Sequence, residues 1–251
     1  MNNRHGNNTH WVYLSPHLDD AVYSCGGLIW EQVERGMQVE VWTIFAGDPP
    51  PGSLTPFARS LHERWKSGGG AAALRRDEDA RACAILGIGW RHFDYPDCIY
   101  RYHQNGRPVI EGEGDLFRAG YEGESHLAAR LAQHLARELP AGAVLAVPYG
   151  YGSHVDHQLA RRAAALLPEL HWAYADYPYA VSSVETLSDW LNQPGESYVL
   201  PVSPAGLERW QQAVAAYASQ ISTFWTSTAD LREKIAAYHA SGAGSRLTRL
   251  A

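Results

Sequence analysis

Trp11-Val-Tyr-Leu-Ser15 runs directly into Pro16-His-Leu-Asp-Asp20, and an amphipathic stretch from Asp20 to Arg35 follows and stops at Gly36. Aromatic and β-branched residues suit a pleated strand, and a proline ends it. A glycine just past the last periodic residue is an expected helix stop. The stretch therefore reads as strand, polar turn, helix. The same order recurs downstream. Gln38 to Phe45 alternates as a strand, and Ala46 to Pro56, with Gly47, three consecutive prolines and Gly52, must be a loop. Leu74 to Leu86 has helical spacing and closes at Gly87; Trp90 to Tyr95 is the next strand. His126 to Leu139 is helical, Val144 to Val147 is an apolar strand ending at Pro148, and Asp156 to Leu167 is helical again. His171 to Ala175 is a further strand, and Leu207 to Ser219 and Ala229 to Ala240 are the last helices. Strands alternating with helices predict a mostly parallel sheet with right-handed crossovers, a Rossmann-like three-layer α/β sandwich. One domain over 11–251, preceded by a disordered, Asn-rich tail over 1–10, is the expected organisation. Gly68 to Ala73 reads as a flexible link.

The length of 251 residues fits one large α/β domain. With 21 basic and 27 acidic side chains the formal charge is −6, which argues against a nucleic-acid partner, since such proteins present a basic face. The three cysteines have unrelated spacings and form neither a disulfide framework nor a CxxC metal site. Nothing approaches the ~18 apolar residues of a membrane span, and the polar N-terminal segment has no apolar signal region. A cytoplasmic setting is expected, and the composition is compatible with a homo-oligomer.

Two polar clusters carry the chemistry, and each directly follows an expected strand, where ligands bind in parallel sheets. In Ser15-Pro-His-Leu-Asp-Asp20, His17 and Asp20 are three apart, so one helical turn brings both to one face; Asp19 can point into the same crevice. In Ser153-His-Val-Asp-His157 a second strand end supplies two imidazoles and a carboxylate. Either cluster alone could be a helix cap, since aspartate stabilises a first turn. Taken together they offer a His₂–carboxylate set for a divalent metal with one position open, plus a free carboxylate and imidazole for proton transfer. Spacing does not decide which aspartate ligates and which abstracts a proton.

PHLDD followed far downstream by HVDH resembles the PIG-L/LmbE-like family of zinc-dependent N-deacetylases, whose signatures are PHPDD(E) and HxDH. Arg75-Arg-Asp-Glu78, Tyr95-Pro-Asp97 and Tyr217-Ala-Ser-Gln220 add to the resemblance, which spans about Trp11 to Gln220. The chain departs from the pattern at Leu18 (for Pro), Ala21 (for an acidic residue) and Tyr217 (for a frequent His), none of which removes a ligand. The resemblance implies that His17, Asp20 and His157 bind zinc, with Fe²⁺ or another divalent ion able to fit the same donors. It implies that Asp19 is the general base and that His154 polarises the acyl carbonyl. Asp156 would hold His154 in orientation and raise its pKa.

The implied substrate is an N-acetyl amino sugar, free or within a glycoconjugate. Asp48, Arg75 and Asp97 match substrate-contact positions of the family, and Tyr149, Tyr151 and Tyr177 could stack on a pyranose face. The Pro96–Gly123 excursion and the Pro178–Pro201 segment would form a lid. A metal-dependent amidase acting on a small non-sugar amide, and a non-catalytic sugar- or nucleotide-binding module, are the alternatives. Dinucleotide binding lacks its cradle, since Cys25-Gly26-Gly27 lies inside the helix rather than before it.

Overall fold

The structure, a computed structural model, describes residues 9–52, 54–65 and 70–250. In chain order the elements are β1 (His10–Ser15), α1 (Asp20–Glu34), β2 (Gln38–Thr43), α2 (Pro56–Arg64), α3 (Ala71–Leu86) and β3 (Gly89–His92). They continue with α4 (Glu113–Leu116), α5 (Ser125–Glu138), β4 (Val144–Pro148), α6 (Val155–Ala164), β5 (Leu170–Tyr174) and α7 (Val184–Leu191). The chain ends with β6 (Ser197–Val199), α8 (Pro204–Ala215), α9 (Ile221–Phe224), α10 (Thr228–Ala240) and β7 (Arg246–Arg249).

The seven strands form one sheet in the order β3-β2-β1-β4-β5-β7-β6. Strands β1 to β5 are mutually parallel, and β7 pairs antiparallel to both β5 and β6. The expected parallel α/β sandwich is the fold, with an antiparallel edge added. β1 reads as an unbroken apolar run because both its faces are covered. Trp11 and Tyr13 enter the core beneath α1 and α8, while Val12 and Leu14 enter the core beneath α5 and α6.

α1 and α8 approach so closely that only glycine fits at the contact. A Cβ on Gly26 would lie 2.5 Å from the Trp210 ring, whose Nε1 donates to the Val22 carbonyl at 2.7 Å. This close approach is the use to which Cys25-Gly26-Gly27 is put.

Some expectations need correcting. β1 begins at His10, one residue inside the expected tail, and Met1–Asn8 lie outside the described residues. Gly68 and Gly69 also lie outside them, whereas Ala71–Ala73 form the first turn of α3 rather than a link. The loop expected to run to Pro56 gives way there to α2, which opens on Thr55 as a side-chain cap with proline in the first turn. β6, β7 and α7 were not read from the sequence, although α7 carries Val184, Leu187, Trp190 and Leu191 at helical spacing behind a Ser183 cap. Three- and four-residue strands are too short to show alternation.

The fold positions the site through its switch point. β1 connects outward to β2 on one side, β4 outward to β5 on the other, and the two are direct neighbours. The turns leaving their carboxyl ends therefore face each other across the crevice where such sheets bind ligands. A third apolar cluster, with Leu61, Trp65, Ile99 and Ile110, roofs one side of that crevice.

Candidate active site

The first turn is closed by its own residues. Ser15 Oγ donates to the His17 carbonyl at 2.6 Å and accepts the Ala21 N–H at 3.1 Å. Asp20 Oδ2 accepts the His17 backbone N–H at 2.8 Å. Between them Asp19 sits at φ 153, a conformation that side-chain-bearing residues rarely adopt and that recurs where a site dictates the backbone. The second turn carries left-handed backbone at Gly150, Gly152 and Ser153. Gly152 is obligatory: a Cβ there would meet the Tyr179 ring at 2.6 Å.

The two turns meet on one oxygen. Asp20 Oδ2 lies 3.1 Å from His17 Nδ1 and 3.2 Å from His157 Nε2. Donors about 2.0–2.1 Å from a tetrahedral ion stand roughly 3.3–3.4 Å apart, so this set fits a divalent metal in spacing and in chemistry. The other nitrogen of each ring is also engaged: His17 Nε2 is 3.1 Å from Asp156 Oδ2, and His157 Nδ1 is 2.6 Å from Asp176 Oδ1. His154 completes a trio in which ligand nitrogens of His17, His154 and His157 all lie within 4.8 Å of one another.

The electrostatics separate these groups. Burial works against the charge on His157, but Asp20 and Asp176 outweigh it and hold the ring at about 9. His17 is likewise raised despite burial, through Asp97, Asp156 and Asp20. Burial pushes Asp19 up to about 8, against the pull of Arg75. His154 goes the other way: burial, then the neighbouring His17 and His157, drive it well below its ordinary value. It is thus a neutral imidazole. Its Nδ1 accepts the Asp156 N–H at 3.2 Å, which leaves the ring proton on Nε2.

Asp156 is engaged mainly with groups other than the His154 ring. Its carboxylate is spent on His17 Nε2, on the Cys98 N–H at 3.0 Å and on Arg101 at 2.5 Å. Its hydrogen bond to His154 runs through its backbone N–H, and although its charge favours the protonated imidazole, burial and the neighbouring His17 and His157 outweigh it and hold the pKa of His154 low. Arg101, a buried cation from the Pro96–Gly123 excursion, bridges Asp156 and Glu124.

A cavity of about 380 Å³ opens over the site, lined by His17, Asp19, Asp20, His154, Arg75 and Asp97 among others. Arg75 Nη2 reaches Asp19 Oδ2 at 3.4 Å and the Leu18 carbonyl at 3.3 Å, with its guanidinium over the Trp65 ring. Asp97 Oδ2 lies 3.9 Å from His17 Nε2. Asp48 is not brought here; it is an exposed partner of Arg76, because the proline-rich loop carries it outward. The three tyrosines suggested for stacking also lie elsewhere. Tyr149 and Tyr151 pack on Trp190, and Tyr177 packs on Tyr238. The excursion supplies Leu116 and Phe117 to the cavity wall, and the Pro178–Pro201 segment supplies Pro178 and Tyr179. Tyr217, the departure noted above, is buried and donates to Asp79 Oδ1 at 2.5 Å, away from the donor set. The sequence analysis missed Arg101 and Asp176. Asp176 follows a strand end, the position where groups facing a crevice are expected; Arg101 carries no such signal.

Comparison with known proteins bears on the family of the chain. A family profile described as PIG-L, GlcNAc-PI de-N-acetylase, matches residues 12–167. Two relatives are named 2'-N-acetylparomamine deacetylase. That of Niallia circulans is 28% identical over 195 residues, covering 71% of this chain and 70% of the relative. That of Streptomyces fradiae is 31% identical over 177 residues, covering 67% and 57%. The solved zinc-inhibited form of a teicoplanin deacetylase is 28% identical with a TM-score of 0.79, covering 96% of this chain and 99% of that one. Among the described residues no helix is long and apolar enough to cross a membrane. With a profile that spans both polar turns and more than half its length, the chain belongs to the PIG-L family and is an N-deacetylase.

Proposed function

We propose that the chain removes an N-acetyl group from an amino sugar carried in a glycoconjugate, with zinc held by His17, Asp20 and His157. The observation that carries this reading is the meeting of both turns on Asp20 Oδ2, with Asp19 and His154 beside it on the same cavity. A purely structural metal site has no use for an extra base and an extra donor. When bound, the metal supplies Lewis acidity toward the attacking water and the acyl oxygen. The chain's own residues do the rest. Asp19, whose affinity for a proton burial has raised toward neutrality, takes one from the attacking water and delivers it to the leaving nitrogen as the C–N bond breaks. Acetate and the free amine result. His154 donates from Nε2 to the acyl oxygen as its charge develops, and being neutral it adds no competing cation to the metal pocket. Arg75 braces the Asp19 turn from above.

The cavity walls bear on the substrate. Leu61, Trp65, Leu116, Phe117, Tyr179 and Phe224 surround the polar floor. A free hexosamine presents mostly hydroxyls, whereas this rim suits an apolar group attached to the sugar. Acetate release from N-acetylglucosamine and from its aryl glycosides, with and without chelator, tests the reading. Release that needs metal and is faster with the aryl glycosides is expected. Cleavage of simple non-sugar amides alone would replace it with an amidase, and chelator-insensitive binding without acetate would replace it with a binding module.

A further inference from the structure

We propose that Asp176 is a positioning residue that sets both the metal-facing nitrogen of His157 and the turn that delivers His154. The proposal rests on the reading of His157 as a metal donor. Asp176 lies just beyond Ala175, the residue that follows β5, and is 1% exposed, and its two oxygens have different partners. Oδ1 accepts the Nδ1–H of His157 at 2.6 Å. A neutral ring that donates from Nδ1 keeps its lone pair on Nε2, the atom that faces Asp20. Oδ2 accepts the backbone N–H of Gly150 at 2.7 Å and of Tyr151 at 3.1 Å. These amides open the left-handed turn that leads through Gly152, packed against the Tyr179 ring, and Ser153 to His154. One carboxylate thus fixes a donor's tautomer and the approach of the carbonyl-polarising group.

The other imidazole is held with opposite polarity. His17 engages Asp156 through Nε2 and turns Nδ1 to Asp20. The two rings therefore present different nitrogens to the same point, and neither choice is set by the ring itself; each is set by the carboxylate behind it.

Asp176→Asn separates the two duties. The amide oxygen can still receive the Gly150 and Tyr151 amides, but the NH₂ then faces His157 Nδ1, which must accept. The ring proton moves to Nε2, where the metal would bind. Zinc affinity, measured by competition with a chromophoric chelator on the full chain, is expected to fall about 10–100-fold. The electronic spectrum of the Co²⁺-loaded variant should change, and the Gly150 and Tyr151 amides should stay protected from hydrogen exchange. Asp176→Ala should lose both the affinity and the protection. Zinc affinity of Asp176→Asn within twofold of the parent, with an unchanged Co²⁺ spectrum, would overturn the tautomer assignment while leaving the proposed activity intact. A parent chain that binds no zinc would overturn the metal reading and this proposal with it.

Discussion

The two polar turns leave neighbouring strands at the same end of one sheet, yet they are held in different ways. Pro16–Asp20 is closed locally: Ser15 and Asp20 tie it onto its own backbone through contacts that span six residues or fewer, and Arg75, Asp156 and His157 reach only its Leu18 carbonyl and its side chains. Gly150–His157 is held from outside, by Asp176 on the turn and on His157, and by Arg101 on Asp156. The first turn brings its ligand and base together by local geometry. The second depends on residues far away in the chain, so its chemistry is tied to packing elsewhere.

The comparison can be broken or sharpened by substitution. Asp19→Asn is expected to lower kcat by roughly 10³–10⁴-fold with metal content near one per chain, read by steady-state kinetics and metal analysis. Loss of metal instead would make Asp19 a ligand and the first turn a pure metal clip. Arg101→Met should destabilise the fold by about 3–5 kcal/mol in denaturant unfolding, because it leaves the buried Asp156 without its counter-charge. His154→Gln should lower kcat about 10²–10³-fold with metal retained. Ser15→Ala, by contrast, removes one local hydroxyl and should cost about 1–3 kcal/mol by the same unfolding measurement. If it cost nothing, the local closure by Ser15 would not be what holds the first turn.

The smallest effect lies outside both turns. His171 on β5 is half-buried, and burial lowers its pKa from the ordinary value, with Glu169 opposing. The folded state then binds fewer protons than the unfolded one, so its contribution to stability is present above about pH 6.5 and is lost as the pH falls through that value. Unfolding curves between pH 7 and 5 should show a slight decline that His171→Gln flattens. A decline that survives the substitution would return it to His154, whose pKa is lowered too, and not to His17 or His157, whose raised values act with the opposite sign.

Much of this was legible in the sequence, unevenly. The five parallel strands and α1, α3, α5 and α6 between them were readable because apolar periodicity is a local property of ten or so residues. Short β6 and β7 pair only through distant register, so no local signal announces them. His17, Asp19 and Asp20 were readable as a set because one helical turn joins them. His154 and His157 were readable as candidates because they follow a strand. Asp48 and the three tyrosines were misplaced for a common reason: sequence position near a strand end does not say which way a loop turns.

Residue order and type alone determined that the chain alternates strand and helix and that two clusters of imidazoles and carboxylates sit at strand ends, since both follow from contacts within a few positions. Only the tertiary structure decided that those clusters share Asp20 Oδ2, that Arg101 pairs with Asp156, and that Asp176 stands behind His157. Each of these is a pairing of charged groups across a buried interior, where burial and distance, neither of them written in any local stretch, fix which partner a carboxylate finds.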